Sequence, residues 1–147
     1  MSPRDRGFTI IELLIALLLG SILGTMGISA YKGTERIELM TTANNIQSLI
    51  RVAQARAYGQ GNTHTVGFDP TLGECLHINN SKIIDSVVVK GKTYIKKTNF
   101  PKGNLYFRGK LSPSQGGTIV LNSKSYEVEI TVLPVTGRVK IYPITRK

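Results

Sequence analysis

From Phe8 to Ile28 the chain reads FTIIELLIALLLGSILGTMGI, 21 residues carrying one charge, Glu12. Such a run predicts a helix, and at about 1.5 Å per residue it matches a hydrocarbon core of about 30 Å. The pattern then changes without a break. Through GTERIELMTTANNIQSLIRVAQARAYGQG, apolar or small residues recur at Ile37, Met40, Ala43, Ile46, Ile50, Ala53 and Ala57. Steps of three and four are those of an amphipathic helix that buries one stripe. Arg36, Glu38, Gln47, Arg51 and Gln54 take other positions on its circumference, and Gly59 and Gly61 supply a stop. One helix of roughly fifty residues is therefore expected, apolar in its first half and amphipathic in its second. Only the second half is expected to pack on a globular domain.

From Thr63 onward the period falls to two. Short apolar or alternating runs predict strands at His64–Phe68, Glu74–Ile78, Ile83–Val89, Thr93–Lys97, Leu105–Phe107, Thr118–Leu121, Tyr126–Leu133 and Arg138–Tyr142. Turn residues separate them, among them Asp69-Pro70, Asn79-Asn80-Ser81, Lys90-Gly91-Lys92, Pro101-Lys102-Gly103 and the stretch from Pro134 to Gly137. The expected class is α+β, a long N-terminal helix packed on an antiparallel sheet domain. The expected division is 8–28 as a transmembrane helix, 29–59 as its amphipathic continuation and 60–147 as a basic β-rich domain.

Charge is unevenly placed. Residues 1–80 hold six Lys/Arg and six Asp/Glu, whereas residues 81–147 hold thirteen Lys/Arg against Asp85, Glu127 and Glu129, so the whole net charge of +10 lies in the second part. A surface of that kind attracts polyanions, whether nucleic acid, anionic lipid or acidic polysaccharide, and also serves simply as a solvated face. Cys75 is the only cysteine, which excludes an intrachain disulfide. Cys75 and His77 would share a strand face, with His64 elsewhere, but two or three ligands without a recognised spacing do not make a metal site. No phosphate loop, nucleophile elbow or paired-carboxylate motif is present, and neither an enzyme nor a cofactor is expected.

Arg4 and Arg6 precede the apolar run and favour a cytoplasmic N-terminus. A secretory signal peptide cleaved near Ser29-Ala30 is one reading of such a start. Glu12 argues against it, because it interrupts the part that should be uncharged, and so does a helical pattern that continues past Ala30. The stretch Arg6-Gly7-Phe8-Thr9-Ile10-Ile11-Glu12-Leu13 resembles a type IV prepilin signal, a basic leader and Gly followed by Phe-Thr-x-x-Glu-Leu. The resemblance makes residues 1–7 a leader peptide and implies cleavage between Gly7 and Phe8 by a membrane-embedded prepilin peptidase and N-methylation of Phe8. It also gives Glu12 an assembly role, pairing with the N-terminal amine of a neighbouring subunit. A carboxylate within a membrane span is costly without a partner, which agrees with that role. The implied partners are other pilin subunits, the inner-membrane assembly platform and the membrane itself. The implied location is the bacterial inner membrane as a single-pass protein, then the periplasm or an extracellular pilus. Gly20, Gly24 and Gly27 would either allow close helix approach or weaken the helix for unwinding.

The C-terminal half resembles the GspH/FimT group of minor pilins and pseudopilins. The resemblance rests on Asn104-Leu105-Tyr106-Phe107-Arg108-Gly109, Gly117-Thr118-Ile119-Val120-Leu121 and Val135-Thr136-Gly137-Arg138-Val139-Lys140-Ile141, in that order. In the FimT branch a G-R-x-R motif is associated with DNA binding during natural transformation. Here it stands as Gly137-Arg138-Val139-Lys140, and Lys at the last position keeps the charge but loses the bidentate fork.

Alternation puts Arg138, Lys140 and Tyr142 on one side of their strand and Val139 and Ile141 on the other. Tyr106, Arg108 and Lys110 likewise share the side opposite Phe107. Further cations stand at Lys96, Lys97, Lys102, Arg146 and Lys147. Exposed Arg and Lys interleaved with tyrosines suit double-stranded DNA bound without regard to sequence. A rival arrangement makes Pro134–Gly137 a turn that sets Glu129 beside Lys140 and neutralises it. The two functional expectations are a FimT-like minor pilin that binds DNA for uptake, and a GspH-like structural pseudopilin of a type II secretion system with no nucleic-acid role.

Overall fold

The structure, a computed structural model, describes residues 9–147, with the backbone alone for 24–33. Gly7 and Phe8 lie outside the described residues. Helix α1 runs from Ile10 to Gln60, 51 residues without interruption, so its backbone passes Gly20, Gly24 and Gly27 as regular helix. Its start is a reciprocal capping box. The Glu12 backbone N–H donates to Thr9 Oγ1 at 3.3 Å, and Glu12 Oε2 accepts from the Thr9 backbone N–H at 3.0 Å and from the Thr9 hydroxyl at 3.1 Å.

The chain divides into two compact units at Thr34/Glu35, within the helix. Among the described residues of the first unit, Ile10 through Leu23 expose every large apolar side chain. Among the described residues no helix is long and apolar enough to cross a membrane.

In the second unit, residues 35–60 of α1 pack on two antiparallel sheets. The first, in the order β3-β2-β1-β5, is built from Thr63–Asp69 (β1), Glu74–Asn79 (β2), Lys82–Val88 (β3) and Asn104–Arg108 (β5). The second, in the order β4-β6-β7-β8, comprises Tyr94–Thr98 (β4), Gly117–Asn122 (β6), Tyr126–Val132 (β7) and Val139–Ile141 (β8), with Thr145–Arg146 (β9) also pairing β7. A 3-10 turn, Pro101–Gly103, carries the chain from β4 back to β5. Alternation is clearest where a strand buries one face: β1 buries His64, Val66 and Phe68, and β7 buries Val128, Ile130 and Val132. β9 is the strand that periodicity missed, being only two residues long and exposed.

The core joins both sheets to the helix. Leu39, Ala43, Ile46, Leu49, Ile50, Ala53 and Ala57 meet Val66, Leu105 and Phe107 of the first sheet and Ile119, Leu121 and Ile130 of the second. The rings of Phe68 and Phe100 stack at 5.3 Å. One part of the expected stripe is corrected here. Ile37 and Met40 are 68% and 39% exposed, and the buried line begins instead at Glu35 and Leu39. Both lines have steps of three and four; the second faces the sheets because Leu39, with Thr42 and Ala43, lies in phase with Ile46, Ile50 and Ala53.

Both outer strands that carry apolar runs are irregular. β3 has Ile83, Ile84 and Val88 exposed, and its pairing with β2 shifts register between His77 and Ile78, which leaves Ile84 without an opposite number. β4 shifts likewise against β6 between Ile95 and Lys97.

Candidate functional site

The C-terminal cations divide into separate groups. On β8, Val139 is buried while Arg138, Lys140 and Tyr142 are exposed, as the alternation required. The rival Glu129–Lys140 ion pair is not formed among the described residues, although Pro134–Gly137 is the turn. The register sets Lys140 opposite Thr131, and the Tyr142 backbone N–H donates to the Glu129 carbonyl, two residues away along the strand. The Lys140 ammonium lies 4.4 Å from the centre of the Tyr142 ring, a cation–π contact that leaves its charge unneutralised.

Local chemistry then brings a second basic segment alongside. The β7–β8 connection closes through Gly137 N–H to the Leu133 carbonyl at 2.9 Å and Leu133 N–H to the Arg138 carbonyl at 3.0 Å. This puts Gly137 at φ +66°, where a side chain is strained. A Cβ there would also collide with the Leu111 carbonyl and the Gln54 amide. The Gln54 amide donates to the carbonyls of both Leu111 and Thr136, and Gln47 donates to the Val139 carbonyl at 3.1 Å. Two glutamines of α1 thereby tie the Gly137–Arg138 turn to the helix and to the loop that follows β5. Arg108 ends β5, the loop begins with Gly109 and Lys110, and the Gly109 N–H donates to the Asn62 carbonyl just past the end of α1. Arg108 and Lys110 are exposed and line a shallow depression with Ser112, Pro113 and Ser114.

Arg146 and Lys147 belong to the other end of the sheet. Arg146 is opposite Tyr126, whereas Val139 is opposite Val132, and six residues of strand span about 20 Å. Their surroundings are not purely basic. Lys96 forms an ion pair with Glu127 at 2.8 Å, which raises the lysine pKa and lowers that of the carboxyl, the shared hydrogen bond being the main cause of each. With the Asn122 amide oriented by its hydrogen-bond partners, its nitrogen donates to Glu127 Oε2 at 2.8 Å and its oxygen accepts from Lys147 Nζ at 2.8 Å. Lys147 Nζ also donates to the Ser123 carbonyl at 2.7 Å. Lys97 is opposite Val120 with Glu129 next across the sheet, and Lys102 lines a groove with Asp69, Phe100 and Asn104. Of the ten candidate cationic and turn residues, Gly137, Arg138, Lys140, Arg108 and Lys110 are brought together. Lys96, Lys97, Lys102, Arg146 and Lys147 are not.

The buried histidines hydrogen-bond to each other. His64 Nε2 faces the Gln60 Oε1 acceptor at 3.1 Å, so this nitrogen carries the proton. His64 Nδ1 therefore accepts from His77 Nε2–H at 2.8 Å, and His77 Nδ1 has no partner among the described residues. Burial lowers both pKa values, and the Arg56 charge lowers them further. Burial alone drives the Cys75 thiol up to about 12, an unreactive state.

Sequence reasoning missed three parts of this arrangement. The Thr9–Glu12 capping box is visible as S/T-x-x-E before an apolar run. Gln47 and Gln54, seven apart beside an apolar stripe, had the spacing of one helix flank. The Asn122–Lys147 contact joins the end of β6 to the residue after β9 and has no local signal.

The chain's N-terminal residues 2–28 match the prokaryotic N-terminal methylation motif. No curated protein matches it. Among solved structures it is similar to the type IV minor pilin FimU of Pseudomonas aeruginosa, at 14% identity and a TM-score of 0.61 over 75% of this chain and 92% of that one. It is similar also to the minor pseudopilin EpsH from the Type 2 Secretion System of Vibrio cholerae, at 12% identity and a TM-score of 0.60 over 71% and 96%. The chain thus joins an N-terminal methylation motif to a pilin-like fold.

Proposed function

We propose that this chain is a minor subunit of a type IV pilus, of FimT type, that binds duplex DNA without sequence preference for uptake during natural transformation. The observation that carries the DNA reading is the gathering of Arg108, Lys110, Arg138 and Lys140 at the end of β5, on β8 and on the tied loops beside them, with no carboxylate paired to any of them among the described residues. Like charges held together raise the local potential, and a phosphate backbone relieves it by displacing counterions. The full-length chain in a nonionic detergent, titrated with duplexes of unrelated sequence at two salt concentrations, tests it. Four contacts predict a slope of log affinity on log salt near −3.6 (about −0.9 per phosphate). The Arg138→Ala, Lys140→Ala double variant should be weaker on every duplex and flatter by about two. Absence of any salt-dependent binding sinks the reading. It would favour the second one, a structural pseudopilin of GspH type, which the similarity to EpsH supports equally.

In this proposal prepilin peptidase cuts between Gly7 and Phe8 and Phe8 is N-methylated, after which the apolar half of α1 anchors the chain once in the inner membrane. Glu12, held in the single chain by its own helix start, then pairs with the amine of a neighbouring subunit in the filament. Intact mass of the membrane-extracted protein should correspond to a methylated chain starting at Phe8; a start at residue 30 or 31 would overturn this processing.

A further inference from the structure

We infer that α1 contributes a third segment to the basic surface, and that Arg51 on its flank contacts the same phosphate backbone as Arg138 and Lys140. The inference rests on the DNA reading above. Its geometry is set by the two glutamines. Gln47 donates to the Val139 carbonyl, and Gln54 donates to the Thr136 and Leu111 carbonyls, so both point toward the turn that carries Arg138. Arg51 is four residues after Gln47 and three before Gln54, and at 3.6 residues per turn all three share one helix flank. Arg51 is therefore placed between two anchors that grip either side of the Gly137–Arg138 turn. Tyr58 continues the flank one turn beyond Gln54 and is 62% exposed.

Arg51 is exposed and makes no hydrogen bond or ion pair among the described residues. An arginine of that kind, next to a turn bearing another, has no partner in the fold among the described residues, and only solvent and counterions screen the two charges. It is explained by an anion that both approach. A guanidinium also supplies the bidentate fork that Lys140 lacks. Arg56 provides the contrast: it is on the opposite flank of the same helix, five residues on, where its charge acts on the His64–His77 pair.

The full-length chain in detergent carrying Arg51→Gln is compared with Arg56→Gln, with the Arg138→Ala, Lys140→Ala variant and with the parent, on one duplex at several salt concentrations. Arg51→Gln should bind more weakly, with a salt slope shallower by about one, and Arg56→Gln should match the parent. Unaltered thermal unfolding of Arg51→Gln separates lost contact from lost fold. Binding by Arg51→Gln equal to the parent, while the double variant is weakened, overturns the inference and leaves the DNA reading standing. Equal weakening by Arg56→Gln also overturns it, because total charge rather than the flank would then be responsible. No binding by the parent removes the DNA reading itself.

Discussion

The two described parts of α1 use their apolar residues in opposite ways. From Ile10 to Leu23 every large apolar side chain is exposed, with Ile10 at 80% and Leu17 at 64%, while Leu39, Ile46 and Ile50 are fully buried. In the second part the apolar residues form a stripe with polar flanks, and the two sheets cover it. In the first there is no polar face to turn outward, and nothing within this chain's own described fold covers it. Hydrophobicity in the second part is used for folding this subunit. In the first it remains available for a different solvent, lipid or the helices of other subunits.

The comparison can be broken most directly by truncation. Ile46→Ala should lower the stability of the second unit by about 2–5 kcal/mol, the cost of a core cavity. Leu14→Ala should leave the denaturant midpoint of that unit unchanged. An equal loss from both would show that the first part also stabilises the fold. A smaller effect comes from the end of the packed part, where Gln60 meets the histidine pair. Because burial holds the His64 and His77 pKa values below 6.5, the unfolded chain takes up their protons first as pH falls. Their contribution to stability is therefore full above about pH 6.5 and is lost as pH falls through the depressed values. Thermal unfolding from pH 8 to pH 5 should show a falling midpoint, and a His64→Gln, His77→Gln variant should flatten that dependence. An undiminished fall in the variant would assign it to other groups.

Much of this was legible in the sequence, and the gaps have physical reasons. The strand positions were readable because turn residues such as Asp69-Pro70 and Asn79-Asn80 interrupt clean alternation. How the strands divide into two sheets was not, since β3 to β4 and β5 to β6 both change sheets through loops with no distinguishing composition. The helix stripe was read correctly from Ala43 onward. Before it, Ile37 and Met40 competed with Leu39 at nearly the same period, and only contact with the sheets decides between such phases. In the candidate site, alternation fixed the sides of Arg138 and Lys140. It gave no means of choosing the cross-strand register, which moved Glu129 from Lys140 to Tyr142. Nor could a count of thirteen cations reveal that Lys96 is already paired with Glu127.

The irregular outer strands have a consequence for how such a protein can be kept. A flat strand with apolar residues on both sides and a free row of N–H and C=O groups invites another copy to pair with it. On β3, Ile84 interrupts the ladder, Asp85 shares the face of the buried His77, and Lys82 and Lys90 stand at its ends. On β4 the interruption coincides with Lys96 and Lys97. Each edge thus carries a local distortion and a charge that discourage strand-to-strand growth. Strand-to-strand pairing is thereby discouraged at these two edges, while the apolar side chains from Ile10 to Leu23 of α1 stay exposed with no such guard.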